Sequence, residues 1–265
     1  MNRQNNKLAS ILAISLILLI YIDSPVAKAA PPLVTDDAGV VELRGWEYIL
    51  STAGESRPAV DCAELPALEI SYGIAQSMQL TGVIARQVDE ERASSSRSGW
   101  GNAEIAYKWR FYGNDDNALA FAPAYSFPLS SSSRRRGLIE NIRVLSLPLV
   151  GTVARGPWEF SAQASLDISS GSTNGIGYGV AAGYALSETF SLLAEIYGEE
   201  FSGDVQIFSG NKVDDGITNW RAGFAWEYRT GYSLLAAWGG QIESRLPAED
   251  KLDYEYFLGI QYNTP

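Results

Sequence analysis

Residues 103–111 read AEIAYKWRF, and residues 118–127 read ALAFAPAYSF. In both stretches large apolar side chains alternate with small or polar ones, which is the period-two pattern of a β-strand with two different faces. The residues between them, at 113–117, read GNDDN and are typical of a tight turn. The two stretches therefore predict an antiparallel hairpin with one apolar face and one small or polar face.

The same pattern recurs along the chain and predicts twelve strands. They lie near 45–53, 65–73, 78–86, 101–112, 118–128, 142–153, 158–167, 175–185, 190–199, 217–228, 232–240 and 253–262. Short connections at 74–77, 113–117, 154–157, 186–189 and 229–231 alternate with long polar ones at 54–64, 87–100, 129–141, 168–174, 200–216 and 241–252. Short turns on one rim and long loops on the other are typical of outer-membrane barrels. We therefore predict an all-β fold: a closed antiparallel transmembrane β-barrel of about 12 strands, with short periplasmic turns and longer extracellular loops.

Aromatic residues are concentrated at the strand ends beside the predicted short turns. Examples are Trp46, Tyr72, Trp158, Tyr184 and Tyr262. Amphipathic rings favour the boundary between lipid and water, so this row predicts an interfacial girdle, although aromatic residues are enriched in strands of every kind. The opposite face of the strands, rich in Ala, Ser, Gly, Glu and Gln, is then expected to line a wet lumen.

The amino terminus has the pattern of an export signal. Arg3 and Lys7 precede a mostly apolar run, and Ala27 and Ala29 supply small residues at a cleavage site. The apolar run is short for a membrane-spanning helix, which is the alternative. We predict a signal peptide at residues 1–29, a periplasmic N-terminal segment at 30–44 and an outer-membrane barrel at 45–265, located in the bacterial cell outer membrane.

Composition excludes most catalytic classes. The 265 residues include no histidine and one cysteine, Cys62. The formal net charge is −11. Without histidine there is no Ser-His-Asp or Cys-His site, and a zinc site lacks its usual nitrogen ligands. The acidic balance argues against a nucleic-acid partner, because phosphate binding needs cationic surface. We expect no enzyme, no cofactor and no metal, and we expect the pairs Asp36-Asp37, Asp115-Asp116 and Asp214-Asp215 to be turn residues.

Charged residues on the small or polar face are the candidate functional residues. These pore-lining candidates are Glu47, Glu69, Glu104, Lys108, Arg110, Glu159, Glu195, Arg221, Glu227, Asp253 and Glu255. With acids in excess, one interpretation is a pore whose field favours cations and neutral solutes. The other is a network of paired charges that stiffens or closes a narrow lumen, since charges cannot stay buried unpaired. The sequence leaves both open.

The first third of the barrel resembles a known family. Residues 32–37 (PLVTDD) with Gly45-Trp46-Glu47, residues 65–73 (LPALEISYG) and residues 100–104 (WGNAE) are similar to outer-membrane transporters associated with the meta pathway of phenol degradation. The resemblance implies an outer-membrane channel for small compounds, aromatic or apolar ones among them, and it supplies no catalytic residues.

These observations predict passive passage of small solutes across the outer membrane. The alternative is a structural or surface-interaction barrel that transports nothing. Outer-membrane lipid and lipopolysaccharide are the expected partners. The three arginines Arg134, Arg135 and Arg136, in a predicted long loop, are candidates for contact with lipopolysaccharide phosphates or else a solvated loop.

Overall fold

The structure is a computed structural model that describes residues 32–91, 96–114, 116–171, 174–202, 205–206, 212–213, 216–244, 246, 248 and 251–264. The predicted signal peptide lies outside these residues, as do Asp115, Asp214 and Asp215. Within the described ranges, no helix has the length and apolar character needed to cross a membrane.

The described elements are strands and one short helix. The strands are β1 (Trp46–Ser56), β2 (Val60–Ala75), β3 (Met78–Glu91), β4 (Arg97–Gly113), β5 (Asn117–Phe121), β6 (Ala124–Pro128), β7 (Val144–Ser146), β8 (Leu149–Arg155), β9 (Trp158–Ser169), β10 (Asn174–Ser187), β11 (Phe190–Ser202), β12 (Val205–Gln206), β13 (Lys212–Val213), β14 (Gly216–Arg229), β15 (Tyr232–Ser244) and β16 (Tyr254–Asn263). The helix, α1, is Ser131–Arg135.

The strands close into an antiparallel barrel. Each is paired with its neighbours, and β1 pairs with both β2 and β16, so the sheet has no free edge. Two barrel strands are interrupted: β5 continues as β6, and β7 continues as β8. Counting each interrupted strand once gives the twelve strands that the sequence predicts, so the predicted fold class is confirmed. β12 and β13 form a separate two-stranded hairpin between β11 and β14.

The strands extend further on the long-loop rim than the sequence indicated. β2 has 16 residues and β4 has 17, whereas roughly 9–11 tilted residues cross a bilayer. The connection predicted at 54–64 is therefore wrong in extent: β1 and β2 leave only residues 57–59 between them. At 129–143 the connection is long, and it contains α1, whose buried Ser133 packs beside Gly99 on the lumen side of β4.

Side-chain exposure separates the two faces of the wall. Ile105 is 57% exposed on the outer surface, whereas Glu255 is 1% exposed on the inner one. Rings of neighbouring strands contact each other near the short-turn rim, as in Trp46 with Tyr72 at 4.4 Å between ring centroids. The pairs Trp158–Tyr184 and Tyr232–Tyr262 repeat this contact at 4.6 and 4.5 Å. This arrangement is the expected one for an apolar surface bounded by an aromatic girdle.

The chain before β1 lies inside the barrel. Leu33 packs with Ala181 and Leu193, and Ala38 packs with Ala120 and Val150, all of which are buried. The sequence predicted residues 30–44 as a periplasmic segment preceding the barrel, and this description needs correction for residues 32–41. We call these residues the lumen segment. Their placement follows from their hydrogen bonds with inward side chains of the wall.

Candidate functional site: the barrel lumen

The lumen segment runs inside the barrel between two strands on opposite sides of it. At one end the Val41 amide donates to Gln79 Oε1 of β3 at 2.8 Å. Towards the other end the Thr35 amide donates to Glu195 Oε2 of β11 at 2.7 Å. β3 is the third of the twelve barrel strands and β11 is the ninth, which places them on opposite sides. Between these ends it contacts β10, β9, β8, β5 and β4, so the segment runs along the inner face of this half of the wall and fills the lumen there.

Glu195 fixes the far end of the lumen segment. Its two carboxylate oxygens accept hydrogen bonds from the amides of Val34, at 2.8 Å, and Thr35, at 2.7 Å. Glu195 is only 4% exposed. A buried carboxylate is costly unless its lone pairs are satisfied, and two backbone donors satisfy it as they do at a helix N-terminus. A predicted pore-lining charge is thus a binding partner of the segment.

Uncharged side chains of the wall hold the middle of the segment. The Asp36 amide donates to Gln163 Oε1 and the Ala38 amide donates to Thr152 Oγ1, each at 2.9 Å. Buried backbone N–H groups need acceptors, and here wall side chains replace the acceptors that a neighbouring strand would provide. The segment is consequently fixed by single side-chain contacts at several points.

Lys108 and Asp36 form an ion pair inside the barrel. Lys108 Nζ lies 2.7 Å from Asp36 Oδ1, and it also donates to the Asp37 carbonyl at 3.1 Å. Asp37 turns the chain locally, because its Oδ1 accepts from the Gly39 amide. Lys108 thus neutralises the carboxylate of Asp36. Asp36 anchors the lumen segment to the wall, and Asp37 turns it.

A second charged cluster lies beside the start of the lumen segment. Arg221 Nη2 is 2.5 Å from Glu255 Oε2, and Tyr197 donates its hydroxyl to the same carboxylate. The Arg221 guanidinium lies 5.4 Å from the centre of the Tyr197 ring and donates to the Pro32 carbonyl at 3.5 Å. Glu255 is buried and Arg221 is half-buried, and the two charges are paired, as the charge-network interpretation requires at this level of the lumen.

The remaining candidates are dispersed along the wall. Glu69 and Glu104 are half-buried and flank Val83 from its two neighbouring strands. Glu159 is buried, and Glu47 accepts from Gln261. At the short-turn rim, Arg110 donates to the Gln76 carbonyl and Glu227 accepts from the Gly231 amide. Asp253 is exposed immediately before β16, at the opposite rim.

Glycines on the inner face of β10 make room for other side chains. A Cβ atom at Gly179 would lie 2.3 Å from Thr35 Oγ1, and one at Gly177 would lie 2.3 Å from Ser165 Oγ. Both glycines belong to the stretch GIGYG at 175–179 of β10. Its position adds a reason for the glycine at 179: the lumen segment occupies the space that a side chain would need.

Sequence reasoning missed the lumen segment itself and its uncharged partners Gln79, Thr152 and Gln163. Period-two patterns predict strands, but the segment is not a strand and has no periodic signal. The available signals were indirect: a polar stretch at Thr35, Asp36 and Asp37 close to the predicted cleavage site, and an excess of inward charge without evident partners.

Comparisons with known proteins agree on the fold. No protein-family model and no curated protein sequence matches this chain. Among solved structures, an outer membrane channel from Pseudomonas putida F1 superposes with a TM-score of 0.70 at 13% identity, covering 88% of this chain and 100% of that one. The NanC porin gives a TM-score of 0.57 at 9% identity, and the KdgM porin gives 0.52 at 11%; both comparisons cover 81% of this chain and 98% of the porin.

At these identities the likeness establishes the fold. The chain has the architecture of a bacterial outer-membrane β-barrel of the kind that channels and porins share, in agreement with the predicted location. The predicted association with phenol degradation stays a prediction.

Proposed function

We propose that the protein is an outer-membrane channel for the passive passage of small solutes, with the lumen segment as its constriction. The observation that carries this proposal is how the segment is held. Inside the lumen its amides donate one hydrogen bond each to Gln79, Thr152 and Gln163 and two to Glu195, and Asp36 forms an ion pair with Lys108. It adds no strand to the wall, so its displacement leaves the barrel intact.

The strength of these contacts favours reversible displacement. Each hydrogen bond in a protein contributes roughly 0.5–1.5 kcal/mol net, since water replaces the lost partner. Leu33 and Ala38 add apolar contacts, but each packs against only a few side chains. A constriction held in this way can open without unfolding of the strands, which is the property a passive channel requires.

The lining of the lumen favours neutral and apolar solutes. Ile49 and Leu235 are fully buried on the inner face, and alanines are frequent there. The pairing of Arg221 with Glu255 and of Lys108 with Asp36 leaves no excess of positive charge in these clusters. Glu69 and Glu104 then disfavour anions by their field. We therefore propose small uncharged solutes, aromatic or apolar compounds among them, as the resemblance to phenol-pathway transporters implies. The proposal contains no catalytic step.

A deletion tests this function. The mature protein and a variant lacking residues 30–41 are refolded, inserted into planar bilayers and compared for single-channel conductance. We expect a small conductance for the complete chain and a larger one for the deletion, because the constriction is removed while all strands remain. A matched control lacks residues 131–136, which contain α1, and should conduct like the complete chain if the lumen segment sets the resistance.

The alternative function predicts a different outcome. A structural or surface-interaction barrel gives no current even without residues 30–41, although it folds and shows the gel-mobility shift on heating that barrels display. That result would contradict the channel proposal.

A further inference from the structure

The amino-terminal end of the lumen segment is buried beside charged residues of the wall. Pro32 is fully buried, and its carbonyl oxygen accepts a hydrogen bond from Arg221 Nη1 at 3.5 Å. The Nη2 atom of the same guanidinium group binds Glu255 Oε2 at 2.5 Å. The residues that precede Pro32 in the chain therefore begin close to the Glu255 carboxylate.

A buried acceptor without a partner lies beside this ion pair. Asn219 is directly opposite Tyr197 in the β11–β14 ladder, and its Nδ2 donates to the Tyr197 hydroxyl at 3.4 Å. That hydroxyl donates in turn to Glu255. Asn219 is 5% exposed, and its Oδ1 accepts no hydrogen bond from the described part of the chain. Because buried polar atoms are normally satisfied, this oxygen indicates a donor that the described residues do not supply. We call Tyr197, Asn219, Arg221 and Glu255 the Asn219 cluster.

The charges around the start of the lumen segment favour a cation as this donor. Glu195 is directly opposite Arg221 in the β11–β14 ladder, and Glu255 is bonded to Arg221. Two carboxylates thus surround one guanidinium group, which leaves one negative charge in excess. The backbone amides that bind Glu195 carry no net charge and do not change this balance. An excess charge inside a protein is costly, and a positively charged donor removes it.

The predicted removal of residues 1–29 supplies such a donor. Hydrolysis of the Ala29–Ala30 peptide bond consumes one water molecule and leaves a carboxylate on Ala29 and an ammonium group on Ala30. Only Ala30 and Pro31 then precede Pro32. Two residues of extended chain span roughly 7 Å at most, so the new ammonium group stays inside the lumen, within reach of the Asn219 cluster.

We propose that the Asn219 cluster is a binding site for the α-ammonium group of Ala30, and that signal-peptide removal thereby fixes the free end of the lumen segment. The ammonium group has three N–H donors. One donates to Asn219 Oδ1, and another donates to the Glu255 carboxylate, whose oxygens each keep a lone pair beside the bonds to Tyr197 and Arg221. This inference rests on the proposed channel function and names what holds the end of its constriction.

The site is important because the two ends of the lumen segment differ. The carboxy-terminal end continues through Leu43, which is bridged to Gly73, into β1 at Trp46, so it stays attached to the wall. The amino-terminal end is free once residues 1–29 are removed. A chain that keeps these residues has an uncharged peptide N–H at Ala30 in place of the ammonium group, so its lumen segment is held less firmly.

A zero-length cross-link tests where the amino group lies. The mature chain beginning at Ala30 is refolded in detergent and treated with a carbodiimide, which joins an amine to a contacting carboxylate with loss of one water molecule. We expect mass spectrometry to find a peptide in which Ala30 is joined to Glu255. Lys108 and Asp36, whose charged atoms are 2.7 Å apart, are the internal control for access of the reagent. A Lys108–Asp36 cross-link without an Ala30–Glu255 cross-link overturns the proposal.

A cycle of two charge changes tests the same contact without the reagent. Nα-acetylation of Ala30 removes the positive charge, and Asn219→Asp adds a negative charge at the site with little change in size. The readout is the rate at which a maleimide labels Leu33→Cys, in a Cys62→Ser background, because Leu33 is buried until the segment moves. We expect acetylation to raise this rate about tenfold or more, since hydrogen bonds to charged groups are the stronger class. Asn219→Asp should lower the rate in the chain with a free amino group and not in the acetylated chain.

The matched control places the same new charge away from the site. Ser126→Asp lies on the inner face of β6, opposite Glu104 of β4, and its effect on the labelling rate should be the same with and without acetylation. If Asn219→Asp behaves like this control, or if acetylation leaves the rate unchanged, the ammonium site is overturned. A merely structural role of Asn219 gives no dependence on the charge of Ala30.

The outcomes separate this proposal from the channel function. Loss of the ammonium site by these criteria leaves the channel supported, provided that the chain lacking residues 30–41 conducts more than the complete chain. Absence of conductance in that deletion overturns the channel, while the cross-link and the labelling rates still decide where the amino group binds.

Discussion

Individual inward residues show how closely the lumen segment fits the wall. Gly179 is the clearest case, because its missing side chain leaves the space that Thr35 fills. Glu195, on the neighbouring strand β11, accepts hydrogen bonds from the amides of Val34 and Thr35. The fit therefore depends on the absence of a side chain at Gly179 and on the carboxylate of Glu195.

Gly179→Val tests this fit. The new Cβ would meet Thr35 Oγ1 at 2.3 Å and Thr35 Cβ at 3.2 Å, so the segment must shift. We expect a rise in single-channel conductance towards that of the chain lacking residues 30–41. The matched control is Gly82→Ala in β3, where a Cβ atom meets nothing within 4 Å. Equal conductance of the two variants would contradict the fit described.

The lipid-facing surface can be tested with neighbours on one strand. Ile105 is 57% exposed on the outer face of β4, and Ala106 is half-buried on the inner face, facing Thr81 and Ala124. Arginine on the lipid face near the midplane costs roughly 2–4 kcal/mol. Ile105→Arg should therefore lower the free energy of unfolding in bilayers by about this amount, and Ala106→Arg should lower it less, as urea titration in liposomes measures. The reverse order would mean that the faces are exchanged.

At the residue scale the sequence predicted the orientation of side chains better than their partners. Period-two alternation placed Glu104, Lys108 and Arg221 on the inner face, where the structure has them, because a strand admits only two faces. It did not predict that Lys108 pairs with Asp36, since that contact joins a strand to a segment without periodicity.

Among the elements, the strands followed from the sequence and their ends and interruptions did not. All twelve barrel strands were predicted, because each carries its own alternation. Alternation also continues through Ala122 and Pro123, so residues 118–128 were predicted as one strand, whereas pairing ends at Phe121 and resumes at Ala124. Pro123 has no backbone N–H group to donate to a neighbouring strand. A pattern of side chains does not show this missing donor.

The two rims differ in their connections, and this difference predicts the orientation in the membrane. The loop containing α1 has exposed residues at Glu140 and Asn141, whereas Gly156 and Pro157 form the tight turn between β8 and β9. Short turns of such barrels face the periplasm. A protease site inserted after Glu140 should be cut by protease added to intact cells, and one inserted after Gly156 should be cut only after the outer membrane is permeabilised. Cleavage after Gly156 in intact cells would invert the orientation.

For the whole molecule, the decisive relation is between a closed wall and a segment that lies in its lumen. The wall accounts for stability in lipid, since closure satisfies the strand edges. The segment accounts for three of the inward charges, because Glu195, Lys108 and Arg221 contact it. The sequence alone left open whether these charges line an open pore or form a paired network. In the structure the paired charges, Lys108 with Asp36 and Arg221 with Glu255, lie beside the segment. Glu69 and Glu104 lie elsewhere on the wall, on β2 and β4.

The most direct test of the account is to fix the lumen segment in place reversibly. Thr35→Cys with Gly179→Cys, in a Cys62→Ser background, places two Cβ atoms 3.2 Å apart, so a small outward shift brings them to the roughly 3.5–4.5 Å of a disulfide. The measurement is single-channel conductance of the refolded variant before and after dithiothreitol, with each single-cysteine variant as a control. The account predicts a negligible current in the oxidised state and, after reduction, a current at least as large as that of the complete chain, because a side chain at 179 then crowds the segment as in Gly179→Val. The same current in both states, with the disulfide verified by mass spectrometry, would contradict the claim that this segment is the constriction of the channel.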